Sequence, residues 1–183
     1  MRERTIDPRS LDLRAMCRSG GELQGHLPLG DMSRLGSAFG GPSDASAGWS
    51  ASGSVRPMAG TEPELWLHLQ ADALVPLICQ RCLQPFVAAL RVDQHLRFVR
   101  NEDEAARLDE ESEEDVLTLP PRLDLHALIE DELILALPLV PMHLECPQPL
   151  LQGGLPVPVD EPEPAAAHPF AALAALRRGT GAG

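Results

Sequence analysis

The residues of this chain best suited to chemistry are two cysteines spaced as Cys79-Gln80-Arg81-Cys82 and, some sixty residues later, the pair His143-Leu144-Glu145-Cys146. Thiolate and imidazole are the donors a tetrahedral structural zinc takes, and a Cys-x-x-Cys pair in a tight turn can aim both sulfurs at one ion. The same residues also read as reduced, partly buried thiols without a ligand, and His143 alone reads as a hydrogen-bonded loop histidine. A thioredoxin-type redox pair fits less well. That chemistry needs a strand feeding a helix whose N-terminus lowers a thiol pKa, whereas Leu83-Gln84-Pro85 leads toward another strand. The fourth cysteine, Cys17, reads as a small core residue.

All fifteen basic residues are arginines. Arg81 at the turn, Arg91 and Arg97 on one strand face with His95, and Arg177 and Arg178 near the end are the candidate RNA contacts, because the guanidinium fork suits phosphate. An arginine-bearing solvent face gives the same pattern. Base stacking has little to work with, since Tyr is absent and Phe and Trp together number six; RNA recognition would rest on shape and backbone, or on a partner protein. A net charge of −12 argues against broad binding to nucleic acid or acidic membranes. Nine acids and one Arg fill the run Glu102 to Asp115, which reads as a solvated, mobile acidic loop or as a lure for a basic protein or ribosomal surface. No catalytic set emerges. Nucleophile elbows, phosphate-cradling glycine loops and dinucleotide fingerprints are missing, and Glu130, Asp131 and Glu132 point about 100° apart on a helix.

These residues need a scaffold, and hydrophobic periodicity supplies one. From Glu64 to Arg100 apolar and polar residues alternate with period two, predicting two long antiparallel strands. Leu65, Leu67, Leu69, Ala71, Ala73, Val75 and Leu77 share a face of the first, and Phe86, Ala88, Leu90, Val92, Leu96 and Phe98 a face of the second, with the cysteine pair in the connection. Asp124 caps a helix over 124–137, with Leu125, Leu128, Ile129, Leu133 and Ala136 as its apolar stripe, His126, Glu130 and Asp131 on its wet side and Pro138 as its stop. A strand at Val116 to Leu119 precedes it. Asp7, Pro8 and Gly20 bracket a short N-terminal helix. The fold class is α+β: an antiparallel sheet with a long central hairpin packed against one main helix, plus short terminal helices.

Four regions follow. Residues 1–35 hold the N-terminal helix and first strand, and 36–60 form a Gly/Ser-rich flexible segment with a weak strand from Trp49 to Met58. Residues 61–147 carry the hairpin, acidic loop and main helix. Residues 148–183 are a Pro-rich tail ending in a short helix, Phe170 to Arg178. The longest apolar run, Leu133 to Leu144, is broken by Pro138 and Pro141 and is too short to span a bilayer. With a charged start, the chain reads as cytoplasmic, without a membrane partner.

The stretch Val75-Pro76-Leu77-Ile78-Cys79-Gln80-Arg81-Cys82-Leu83 and, in order after it, Asp124-Leu125 through Glu130-Asp131-Glu132-Leu133-Ile134-Leu135-Ala136-Leu137-Pro138-Leu139-Val140-Pro141-Met142-His143 resemble the bacterial YceD family, the large ribosomal RNA subunit accumulation proteins. The resemblance runs over roughly residues 20 to 178, including Pro169-Phe170-x-x-Leu173-x-x-Leu176 followed by Arg177 and Arg178, and it departs from the family in the Gly/Ser-rich stretch Gly36 to Gly53. It implies a non-enzymatic role in the synthesis, processing or stability of 23S ribosomal RNA, with precursor RNA or an assembling large-subunit particle as partner. It carries over no proven metal.

Overall fold

The computed structural model describes residues 7–57, 63–112 and 114–147. Asp7 accepts the Arg9 N–H and opens a single 3-10 turn, Pro8–Ser10. The N-terminal helix does not continue from there. Leu11 instead exchanges both backbone hydrogen bonds, each 2.9 Å, with Leu123, and a second cap, Asp12, accepts the Ala15 N–H to start α1, Leu13–Ser19. Gly20 ends it at φ 62, the left-handed conformation glycine adopts without a Cβ clash, and its N–H returns to the last turn.

Five strands form one sheet in chain order: β1 (Glu22–Pro28), β2 (Ser46–Arg56), β3 (Glu64–Ile78), β4 (Pro85–Val99) and β5 (Val116–Thr118). The first four pair antiparallel, and β3 and β4 stay in register from Leu65 opposite Phe98 to Ile78 opposite Pro85. The sheet is mixed, which corrects the antiparallel expectation, because β5 lies parallel to β4. A parallel return needs a long crossover, and the acidic run provides it. That run is a helix over its first part, not a loop throughout: α3 spans Glu102–Asp109. Asn101 accepts the Glu104 N–H, Glu102, Asp103 and Glu104 sit where the helix dipole favours negative charge, and Ala105 is buried beside Val99 and Val116.

The strand expected at 49–58 is present but starts earlier and is no weak edge: β2, Ser46–Arg56, is eleven residues long and lies between β1 and β3, so this part of the Gly/Ser-rich segment is packed and not a flexible connection. Small residues are what this position requires. A Cβ on Gly53 would come within 3.0 Å of the α1 backbone at Cys17, and one on Gly25, opposite Trp49 in β1, within 2.9 Å of the indole. Composition read as flexibility is here a close approach of backbone to its neighbours.

Helix α4, Leu125–Leu135, begins where Asp124 accepts the Ala127 N–H at 3.0 Å. Its Leu125, Ile129 and Leu133 are fully buried in one core with Leu67, Leu69, Val75 and Leu96 of the hairpin. Full burial of each such side chain contributes about 1.5–3 kcal/mol before entropy is counted. Helix α1 packs over β2 and β3, and α4 over β3 and β4, on the same face. Glu130 departs from the wet side expected for it. It is buried and accepts the N–H groups of Arg34 and Leu35 at 2.7 and 3.1 Å, which open the short helix α2, Ser33–Gly36.

Candidate metal centre and open sheet face

The β3–β4 connection, Cys79 to Gln84, folds on its own hydrogen bonds. Leu83 N–H donates to the Cys79 carbonyl at 2.8 Å and Cys79 N–H to the Gln84 carbonyl at 3.0 Å. The tight return puts Leu83 at φ 59, a left-handed conformation that costs a non-glycine residue about 1 kcal/mol. Both cysteine sulfurs then face the segment after α4. Gln80 N–H donates to the Pro141 carbonyl at 2.8 Å, and His143 rests its ring on Phe86 of β4 with centroids 4.9 Å apart.

Cys79, Cys82, His143 and Cys146 come together, their ligating atoms all within 4.8 Å of one another. Sγ of Cys79 is 3.8 Å from Sγ of Cys146, and Sγ of Cys82 is 3.4 Å from Nδ1 of His143. Tetrahedral Zn–S bonds of about 2.3 Å set sulfurs roughly 3.8 Å apart, and a sulfur and an imidazole nitrogen roughly 3.5 Å. The four residues therefore fit a divalent ion by type and by spacing. Burial acts to push both knuckle thiols up. At Cys79 the N–H groups of His143, Cys82 and Arg81 outweigh it and bring the thiol down to about 5. Cys82 stays raised, by burial and by hydrogen bonding with Cys146 and Cys79. One thiolate is thus favoured before any ion arrives, which is the form that ligates. Cys17 is buried away from this site, its thiol 3.4 Å from the Trp66 carbonyl and pushed up by burial.

A second cluster, His68, Asp93 and His95, lies on the sheet face opposite the helices. His68 Nε2 is 2.7 Å from Asp93 Oδ1, Gln70 donates to the other Asp93 oxygen at 3.2 Å, and the two imidazoles stack at 4.2 Å with their planes 7° apart. Imidazole lone pairs lie in the ring planes, and two nearly parallel planes stacked 4.2 Å apart do not bring both onto one ion, so this arrangement is a hydrogen-bonded stack. Hydrogen bonds from His68 and Gln70 hold the Asp93 carboxyl below its ordinary value.

The candidate arginines separate. Arg97 pairs with Glu64, which also accepts the Trp66 indole N–H at 3.1 Å, while Arg56 lies 3.6 Å over the Trp66 ring. Arg81 is turned into the thiol cluster: Nε–H donates to Cys146 Sγ at 3.0 Å and an Nη–H to the His143 carbonyl at 3.2 Å. Arg91 is exposed, has no ion pair among the described residues, and lines an open groove of about 1100 Å³ with Gln24, His26, Gln70, Asp72 and Asp93. Arg177 and Arg178, with the Pro-rich tail and the helix expected at Phe170 to Arg178, lie outside the described residues. The sequence reading missed the engagement of Arg81; its place between two metal-ligand candidates was the available signal.

With this geometry in view, comparison with known proteins is informative. The sequence model of the family described as "Large ribosomal RNA subunit accumulation protein YceD" matches residues 67–177, more than half of the chain. The chain belongs to the YceD family. A relative from Haemophilus influenzae, itself named large ribosomal RNA subunit accumulation protein YceD, is 45% identical over 69 residues, which span 38% of this chain and 40% of that protein. No solved structure matches. The YceD family is named for the accumulation of ribosomal RNA and not for a reaction, and no helix among the described residues is long and apolar enough to cross a membrane.

Proposed function

We propose that this chain is a non-enzymatic factor in the synthesis, processing or stability of 23S ribosomal RNA, engaging precursor RNA or an assembling large-subunit particle in the cytoplasm. The observation that carries the proposal is the family match over residues 67–177, which includes all but the first three residues of the hairpin, α3, α4 and the whole thiol cluster. The ion it takes is zinc in a structural role: four protein ligands complete a tetrahedron and leave no position for substrate or water. Zinc then joins the hairpin tip to the segment after α4, ligand-bearing parts that the chain brings together from more than sixty residues apart. Arg91 contacts RNA from the groove on the open face, and Arg177 and Arg178 are further candidate RNA contacts. Such phosphate contacts release counterions, so binding weakens as salt rises.

A second reading is favoured by the engagement of Arg81 and Arg97 within the protein itself. In it, the exposed acids of α3 and the turn after it bind a basic ribosomal protein, and this chain never touches RNA. Crosslinking in cells, followed by sequencing of the attached RNA, tests the two. Enrichment of 23S over 16S sequence that falls with Arg91→Glu supports direct contact. No enrichment, together with unchanged 23S abundance when the protein is depleted, removes the proposed function altogether.

A further inference from the structure

We propose that Arg81 is the positioning residue of the metal centre, the group that holds Cys146 and His143 against the knuckle and balances the charge of the thiolates. The proposal rests on the zinc reading of the cluster. Cys79 and Cys82 are fixed by the hydrogen bonds of their own turn. Cys146 has no such support. It lies three residues after His143, outside every helix and strand; its sulfur faces the other candidate ligands, Cys79 Sγ at 3.8 Å and Cys82 among them, and takes the Arg81 Nε–H at 3.0 Å.

The guanidinium suits this task by shape. One edge of its planar fork donates through Nε to the Cys146 sulfur and another through Nη2 to the His143 carbonyl, so one side chain grips both ends of the His-x-x-Cys segment. A lysine ammonium carries the same charge but cannot hold both acceptors in a fixed plane. Charge points the same way: three thiolates and a neutral imidazole around a divalent ion leave one net negative charge, and Arg81 supplies one positive charge beside it. Hydrogen bonds from outside the ligand shell orient metal ligands and tune their donation. Arg81 is then part of the protein's own architecture, not a contact for phosphate.

The test uses the full chain loaded with zinc, and compares wild type with Arg81→Ala and Arg81→Lys by competition against a chromophoric chelator. The same proteins carrying cobalt(II) report the sulfur-to-metal charge-transfer band. Zinc affinity is expected to fall roughly 10–100-fold in Arg81→Ala, with a shifted charge-transfer band, and to recover in part in Arg81→Lys. Unchanged affinity and an unchanged band in Arg81→Ala overturn the proposal. Absence of zinc binding by the wild type removes the parent reading instead, and the contact is then read in the metal-free protein by the solvent exchange of the Arg81 Nε–H in nuclear magnetic resonance. Slow exchange that is lost in Cys146→Ala upholds Arg81 as the residue that positions Cys146; exchange as fast as at Arg91 removes it.

Discussion

Glu130 and Arg34, 96 positions apart, are joined by three hydrogen bonds, one to the Arg34 backbone N–H and two to its guanidinium. The same carboxylate accepts the Leu35 N–H, and Asp131 pairs with the outer edge of the guanidinium. The carboxylate therefore caps α2 from another helix, satisfying donors that a four-residue helix cannot satisfy internally. Glu130→Ala should cost about 2–3 kcal/mol, since buried N–H groups lose their acceptor. Glu130→Gln, which keeps one carbonyl oxygen, should cost less. Urea unfolding of the two variants measures both, and equal midpoints would contradict the capping role.

Close packing against β2 makes its glycines unusually sensitive. Gly53→Ala should destabilise by about 1–3 kcal/mol, the range for forcing an extra carbon into a packed interior, because the neighbour it meets is α1 backbone and cannot rotate away. Gly36→Ala, whose Cβ would meet nothing within 4 Å, serves as the comparison and should change the melting temperature little.

Glu132 is buried beside Asp115 and Asp131, and its carboxyl is raised, first by burial and then by those two charges. A raised carboxyl is protonated more readily in the folded than in the unfolded chain. Its favourable contribution is therefore fully present below the ordinary value of 4.5 and is lost as pH rises through the raised one. Glu132→Gln should accordingly stabilise the protein near neutral pH and converge with wild type in acid. Melting curves over that range decide the matter, and a gap independent of pH would contradict the assignment.

In the second reading of partner contact, the exposed acids at the end of α3 and in the turn after it do the docking. Asp109, Glu110 and Glu111 are exposed and lie beyond the buried Ala105, so their replacement by Asn and Gln should leave the far-ultraviolet circular dichroism nearly unchanged. If a basic ribosomal protein docks there, co-sedimentation with precursor particles should fall in the triple variant. Undiminished co-sedimentation would count against that docking.

How much of this was legible in the sequence depended on how local each signal was. Period-two alternation through β3 and β4 and the Asp124 cap with its Leu125, Ile129, Leu133 stripe are properties of adjacent residues, and they marked those elements directly. β2 read only as a weak strand because its Gly53 answers to Cys17, a neighbour in space that composition does not display. α3 was obscured by its charge, although Asn101 and the acids of its first turn form an ordinary helix start. Glu130 read as solvated because its partners lie 95 and 96 positions away. The parallel pairing of β5 follows from the crossover through α3, so missing that helix hid the mixed sheet as well. For the thiol cluster the residue types were plain, but only the antiparallel hairpin and the position of α4 bring His143 and Cys146 to the turn.

On the proposed reading, Cys79, Cys82, His143 and Cys146 hold one metal ion that ties the hairpin tip to the segment after α4. Native mass spectrometry of the full chain, purified without chelator, tests it most directly. One zinc per wild-type chain and none in the Cys82→Ala, Cys146→Ala double variant is the expected result. A wild-type chain that carries no zinc, and takes up none when it is supplied, would contradict it.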